Sequence, residues 1–193
     1  LALGGRRARA AALLMFALPG GAYVYQGEEL GLPEAEDIPA EALQDPVWFQ
    51  SGGTDKGRDG CRVPLPWTAA GESFGFSPDG AAAPWLPQPS DWAPFAADAQ
   101  DGVPGSTLEL YRAALKLRRE LGELGDGSLE WLDGGENVLA FARGADADGV
   151  RFQCWTNLGS EPVGLPSGEV LLASGALDAD RKLPSDTTVW LRG

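Results

Sequence analysis

Residues 22–25, Ala-Tyr-Val-Tyr, form a short apolar and aromatic run between a proline-glycine turn and a long irregular stretch. In sequence, a strand buried on both faces of a parallel sheet looks like this. The run has no partner of its own kind nearby, since the next candidate strands lie beyond Gly127, past a helix. A lone strand leaves two rows of unpaired N–H and C=O groups, so this chain is expected to be the end of a larger sheet. By the same argument residues 1–25 should be weakly protected in the isolated chain, and residues 128–193 should be its most autonomous part.

Ahead of the run, Arg6 to Leu18 reads as a helix, apolar almost all round beyond Ala10 and therefore buried. Arg6, Arg7 and Arg9 stand near its N-terminus, where a cation opposes the helix dipole, and nothing local in the sequence accounts for them. Basic residues followed by an apolar run also resemble a secretory signal. Residues ahead of the arginines, the lack of an initiator methionine, and the helix stop at Pro19-Gly20-Gly21 favour a buried helix instead, and with it a cytoplasmic protein.

From Gln26 to Gly105 no period is sustained, apart from a helical turn around Pro39–Leu43. Irregular segments of this length inside compact domains are usually functional loops. Ser106 then opens a helix with a Ser106/Glu109 capping box. Leu110, Ala113, Ala114, Leu117 and Leu121 form its apolar face, and Lys116, Arg118, Arg119 and Gly122 suit its C-terminus. Beyond Gly127 the period changes to two, in runs at 128–132, 137–143, 150–155, 168–172 and 187–192, with a turn at Gly144–Gly149. This predicts a small antiparallel β domain of about five or six strands. The fold class is α/β plus all-β: the last strand, loop and helix of a (β/α)8 barrel over residues 1–125, then a β-sandwich over 126–193. In such barrels the loops after the strands build the active site.

A formal net charge of −13 argues against nucleic acid and anionic membrane surfaces as partners and leaves neutral ligands open. The absence of histidine removes a Ser-His-Asp triad, imidazole metal ligation and a histidine base. Two cysteines, Cys61 and Cys154, provide neither a disulfide framework nor a metal-ligand spacing, so no metal or cofactor is expected. Carboxylates, arginines and seven tryptophans remain, and flat apolar faces are what sugar rings stack on.

Three motifs in order narrow this further. PGGAYVYQGEELGL at 19–32 resembles the eighth barrel strand of α-glucosidases of the α-amylase family. GRDGCRVPLPW at 57–67 is similar to the Arg-Asp-x-x-Arg loop that follows that strand, and PWLPQP at 84–89 to a further element of the same loop. LYRAALKLRREL resembles the eighth barrel helix, and the β module takes the place of the family's C-terminal domain. The resemblance implies a retaining glycosidase acting on short α-linked glucosides, with its catalytic carboxylates on the fourth, fifth and seventh strands. None of those strands is present, so this chain is expected to hold no catalytic residue, to be inactive alone, and to need the preceding part of the barrel as its partner.

On the same resemblance Arg62 helps close the sugar pocket. Arg58 and Asp59 brace the loop, Gln26 lies near the pocket, and Glu28 makes structural hydrogen bonds. Paired catalysis by Glu28 and Glu29 is set aside, because neighbours on a strand point to opposite faces. Trp67 and Trp85 are expected to pack the loop, with a sugar platform as the other role open to them, and Cys61 to be a small packed residue. A non-catalytic carbohydrate-binding protein, or a scaffold protein derived from the family, remains an alternative at this level.

Overall fold

The computed structural model describes residues 2–125, 127–144 and 149–193, so the centre of the turn foreseen at Gly144–Gly149 lies outside the described residues. The chain divides into two compact units, one made of residues up to Val24 together with Glu109–Gly193, the other of Tyr25–Leu108.

In the first unit, α1 (Ala2–Ala17) begins ahead of the expected Arg6. The second long helix, α4 (Thr107–Glu120), begins with Thr107 and Leu108 of the second unit, continues into the first from Glu109, and follows the predicted apolar spacing. The strands are β1 (Leu129–Leu132), β2 (Val138–Arg143), β3 (Phe152–Asn157), β4 (Val163–Gly164), β5 (Glu169–Ala173), β6 (Lys182–Leu183) and β7 (Thr187–Arg192). Five of them form an antiparallel sheet in the order β1-β2-β3-β7-β5, and β4 pairs separately with β6. β7 is buried along Thr187–Leu191, where strict alternation would have been expected, because both faces of the sheet are covered.

The register places Cys154 opposite Trp190 and Trp155 opposite Val189. Phe141, Phe152, Cys154 and Trp190 therefore pack with Leu13, Phe16 and Ala17 of α1 and with Tyr111 and Ala114 of α4. Val189 and Leu191 meet Leu183 in a smaller cluster on the opposite face, with Val163 and Leu165 against it. In β5 the register shifts between Val170 and Leu172, a bulge that alternation alone does not announce.

The arginines of α1 find distant partners. Arg7 Nε donates to Asp186 Oδ1 at 2.9 Å, Arg6 lies 3.5 Å from Asp186 Oδ2, and Arg9 Nε donates to the Ser174 carbonyl at 3.0 Å. Asp186 is buried, and its carboxyl is held below the usual carboxylate range, first by the Arg7 hydrogen bond and then by the charges of Arg7 and Arg6. Side chains of β7 reach the same helix: Thr188 Oγ1 donates to Ala10 O at 2.8 Å and Trp190 Nε1 to Leu13 O at 3.1 Å.

The other end of α1 is closed by two guanidinium groups. Arg118 donates to the carbonyls of Phe16, Leu18 (2.9 Å) and Gly20 (2.6 Å), and Arg143 donates to that of Ala17 (2.8 Å). Cations there satisfy orphan carbonyls and complement the negative end of the helix dipole. α1 is thus tied by side chains to the strands at one end and to α4 and β2 at the other.

The run 22–25 lacks its sheet neighbours in this chain, as the lone-strand argument expects. It has no ladder partner among the described residues, and Tyr23 is 88% exposed. Without neighbouring strands there is nothing to bury the segment or pair its backbone.

The second unit is irregular but has its own core, of Ala35, Ile38, Leu43, Val63, Leu86 and Trp92. Its helices are short: α2 (Pro46–Gln50), α3 (Ala97–Gln100) and single 3-10 turns, including Ala40–Ala42 where a helical turn was expected. Gln100 holds it together from inside. Its Nε2 donates to Leu30 O (2.9 Å) and Phe95 O (3.0 Å), while its Oε1 accepts from the N–H groups of Thr107 and Leu108. A side-chain carbonyl thus caps the first turn of α4.

Candidate functional site

The GRDGCR stretch is a short 3-10 turn, Asp59–Cys61, tied into the segments that precede it. Asp59 is buried, and its Oδ2 accepts the backbone N–H groups of Gln44 (2.5 Å) and Asp45 (2.8 Å). Asp45 is buried in turn and caps α2: its Oδ1 accepts from Val47 N at 2.9 Å, with Pro46 at the first helical position. Asp45 Oδ2 accepts from Arg58 N (3.0 Å) and from Arg62 Nη1 (2.8 Å). Hydrogen bonds from the Val47 and Arg58 N–H groups, and then the Arg62 charge, hold the Asp45 carboxyl below the usual range.

Both glycines of the motif have a steric reason. At Gly57, with φ +64, a Cβ would lie 2.4 Å from Asp45 Cγ; at Gly60 it would lie 2.6 Å from Glu34 Cγ and 2.8 Å from the Ala35 carbonyl oxygen.

Arg62 leaves this brace and reaches the rim of a groove of about 510 Å3. Gln44, Asp59, Arg62 and Ser77 supply its polar part, and Pro64, Phe76, Pro84, Trp85 and Leu86 most of its apolar wall. Two of the sequence motifs thus line one groove. Arg62 keeps 43% of its side chain exposed although one amino group is paired, and Trp85 is 86% exposed. A planar cationic fork beside an open indole face suits a neutral polyhydroxylated ligand, with hydroxyls on the fork and an apolar ring face on the indole.

The other predicted residues fall as follows. Asp59 is brought to Arg62, with Nη1 and Oδ1 3.9 Å apart, and it braces the loop through backbone N–H groups. The Arg58 side chain is exposed, and it is the Arg58 backbone N–H that joins the brace. Gln26 is exposed just before the Gly27 turn and does not line the groove. Glu28 and Glu29 lie on a 3-10 turn where a strand was expected, and the side-chain hydrogen bond belongs to Glu29, whose Oε2 accepts from Gly27 N at 2.8 Å.

Cys61 is exposed where a packed residue was expected, while Cys154 is buried and its thiol pKa is pushed up by desolvation. Trp67 and Trp85 are exposed, and the tryptophans that pack this unit are Trp92 and Trp48. Asp45, the buried partner of Arg62, is the residue of this loop that the sequence motifs did not point to. Asp45-Pro46 is a legible cap and first-turn pair, but no local pattern joins it to Arg62.

No group of three or more acidic, cysteine or histidine side chains able to hold a metal ion occurs among the described residues. Nor is any of the described helices long and apolar enough to cross a membrane.

Residues 3–127 match the family described as Alpha amylase, catalytic domain. A "probable alpha-glucosidase" of Rhizobium meliloti (strain 1021) is 40% identical over 136 residues, which is 70% of this chain and 24% of the relative. The solved alpha-glucosyl transfer enzyme XgtA superposes with a TM-score of 0.77 at 37% identity, over 98% of this chain and 36% of its own. The trehalulose synthase MutB of Pseudomonas mesoacidophila MX-45 shares the fold, with a TM-score of 0.77 at 22% identity over 97% of this chain and 38% of its own.

The chain spans about a quarter of the length of the first curated relatives it matches. The fold class is the one expected, a portion of a (β/α)8 barrel followed by an antiparallel β domain. The chain belongs to the α-amylase family of glycoside hydrolases.

Proposed function

We propose that this chain is the C-terminal part of a retaining α-glucosidase that hydrolyses short α-linked glucosides, with Arg62 donating to a sugar hydroxyl at the closed end of the pocket. The observation that carries this reading is the half-committed Arg62, paired through one amino group at 2.8 Å yet still open to the groove beside Trp85. Asp59 supports it from beneath, and we assign Arg58 and Gln26 to supporting parts of the same loop system. We place the division between barrel portion and β domain at residues 125 and 126, supported by the family match ending at residue 127.

The nucleophile and acid, which a retaining enzyme needs roughly 5 Å apart, come on this reading from the barrel strands that the relatives possess and this chain does not span. The reading requires no cofactor and includes a cytoplasmic location, which cell fractionation tests. The experiment is made on the complete protein that carries this chain. Arg62→Ala should lower kcat/KM for p-nitrophenyl α-glucoside by roughly 2–4 kcal/mol, and Arg62→Lys should recover only part, because a point charge cannot reproduce the fork. The 193-residue chain alone should show no hydrolysis. Turnover by that chain, lost on Glu28→Gln, or an Arg62→Ala variant near wild type, would overturn the reading.

A further inference from the structure

We infer that Asp45 is a positioning residue for Arg62, anchoring one edge of the guanidinium so that the rest of the fork is presented at the groove. This rests on the sugar-binding reading of Arg62. The asymmetry between the partners is the first reason. The Asp45 side chain is 6% exposed and Arg62 43%, so the carboxylate is the fixed partner and the long arginine the tethered one.

The carboxylate itself is held from several sides. Its Oδ1 accepts from Val47 N and its Oδ2 from Arg58 N, while its own backbone N–H is bound by Asp59. Gly57 closes off the space behind it, since even a methyl group there would sit 2.4 Å from Asp45 Cγ. An anchor this constrained removes rotamer freedom from Arg62 before any ligand arrives, which lowers the ordering cost of binding. It commits only Nη1 of a group that carries five N–H donors. Hydrogen bonds from the Val47 and Arg58 N–H groups, and then the Arg62 charge, favour the ionised form of Asp45 that holds the tether.

The test uses Asp45→Asn, which keeps an acceptor for the α2 cap but removes the charge facing Arg62. Asp45→Ser, another good cap residue, makes the same comparison if the first variant folds poorly. Phenylglyoxal labelling of the complete protein, read by peptide mapping, reports the tether directly. Labelling at Arg62 should accelerate about fivefold or more when its carboxylate partner is lost, while exposed Arg58 stays near its wild-type rate. In kinetics Asp45→Asn should lower kcat/KM about tenfold, yet on an Arg62→Ala background it should cost less than about twofold, because coupled residues are not additive.

An unchanged labelling rate at Arg62 overturns the proposal. So does a kinetic loss that persists in full on the Arg62→Ala background, which is what general loop damage would produce. If Arg62→Ala alone left kcat/KM intact, the sugar-binding reading would fall, and the labelling rates would still decide whether Asp45 positions Arg62.

Discussion

Arg143 stands at the end of β2, fully buried, and all three of its nitrogens are committed to backbone carbonyls. Nε donates to Ser128 O (3.2 Å), Nη1 to Ala17 O (2.8 Å), and Nη2 to Gly125 O (2.5 Å) and, at longer range, to Gly127 O (3.4 Å). Replacing it with methionine keeps an unbranched apolar stem while stripping every donor. Hydrogen bonds to a charged group contribute about 1.5–3 kcal/mol each, but the buried guanidinium also carries a desolvation cost that the variant no longer bears. Burial, and secondarily the Arg118 charge, already lower its pKa below the ordinary arginine value, so this cost is present in the folded state.

The two effects oppose each other, and orphaned carbonyls dominate, giving an expected net loss of about 3–5 kcal/mol. Arg143→Lys, with one ammonium in place of a fork, should lose about 2 kcal/mol. Urea unfolding followed by tryptophan fluorescence reads this as a lower midpoint at unchanged slope. Arg112→Ala is the control: its pair with Glu109 is on the surface, and it should shift stability by less than about 0.5 kcal/mol. An Arg143→Met variant as stable as that control would refute the account of this residue.

Gln100→Ala should cost about 2–4 kcal/mol in the same assay, since it orphans the Leu30 and Phe95 carbonyls and uncaps α4; a loss below about 0.5 kcal/mol would show that water replaces it. Asp186 has a depressed pKa in the folded state, so the stability it contributes is present above the ordinary carboxylate pKa of about 3.9 and is lost as pH falls through its folded value. The melting temperatures of wild type and Asp186→Asn should therefore differ near neutrality and converge in acid, and a gap that persists at low pH would contradict this. Iodoacetamide should alkylate exposed Cys61 and spare Cys154 until the chain unfolds, as checked by intact-mass spectrometry; equal reactivity at both sites would contradict the burial of Cys154.

Much of the secondary structure was legible because it is written in local periods. The apolar spacing from Leu110 to Leu121 gives α4, and the alternation of Phe152 and Cys154 with Gln153 and Trp155 gives β3. Where position depends on residues far away in the chain, the sequence is silent. Arg6 and Arg7 read as misplaced cations until Asp186 lies beside them, and β7 reads as half-buried until both faces of its sheet are covered. The Arg-Asp-Gly-Cys-Arg motif was legible as a loop, and the structure pairs its second arginine, Arg62, with a buried carboxylate at the groove rim. The division of labour was not: bracing falls to Asp45 and Asp59, because what selects them is the direction of backbone N–H groups around them. At 22–25 the apolar character marks a segment that can be buried, and its exposure here follows from the lack of a neighbouring strand.

The packing of α1 against β7 has a consequence for the order in which the molecule can form. The bond from Trp190 to the Leu13 carbonyl closes a loop of 177 residues, and that from Thr188 to Ala10 one of 178. Leu13, Phe16 and Ala17 leave the ribosome long before the strand that covers them is made. Non-local contacts of this kind give no return until the intervening chain has been ordered, which makes folding slow and leaves apolar surface exposed in the meantime. The unit is therefore expected to complete only after β7 has been synthesised, with α1 as the segment most in need of chaperone cover until then. Slowing translation between β5 and β7 should lengthen that interval and raise aggregation without altering the stability of the finished fold.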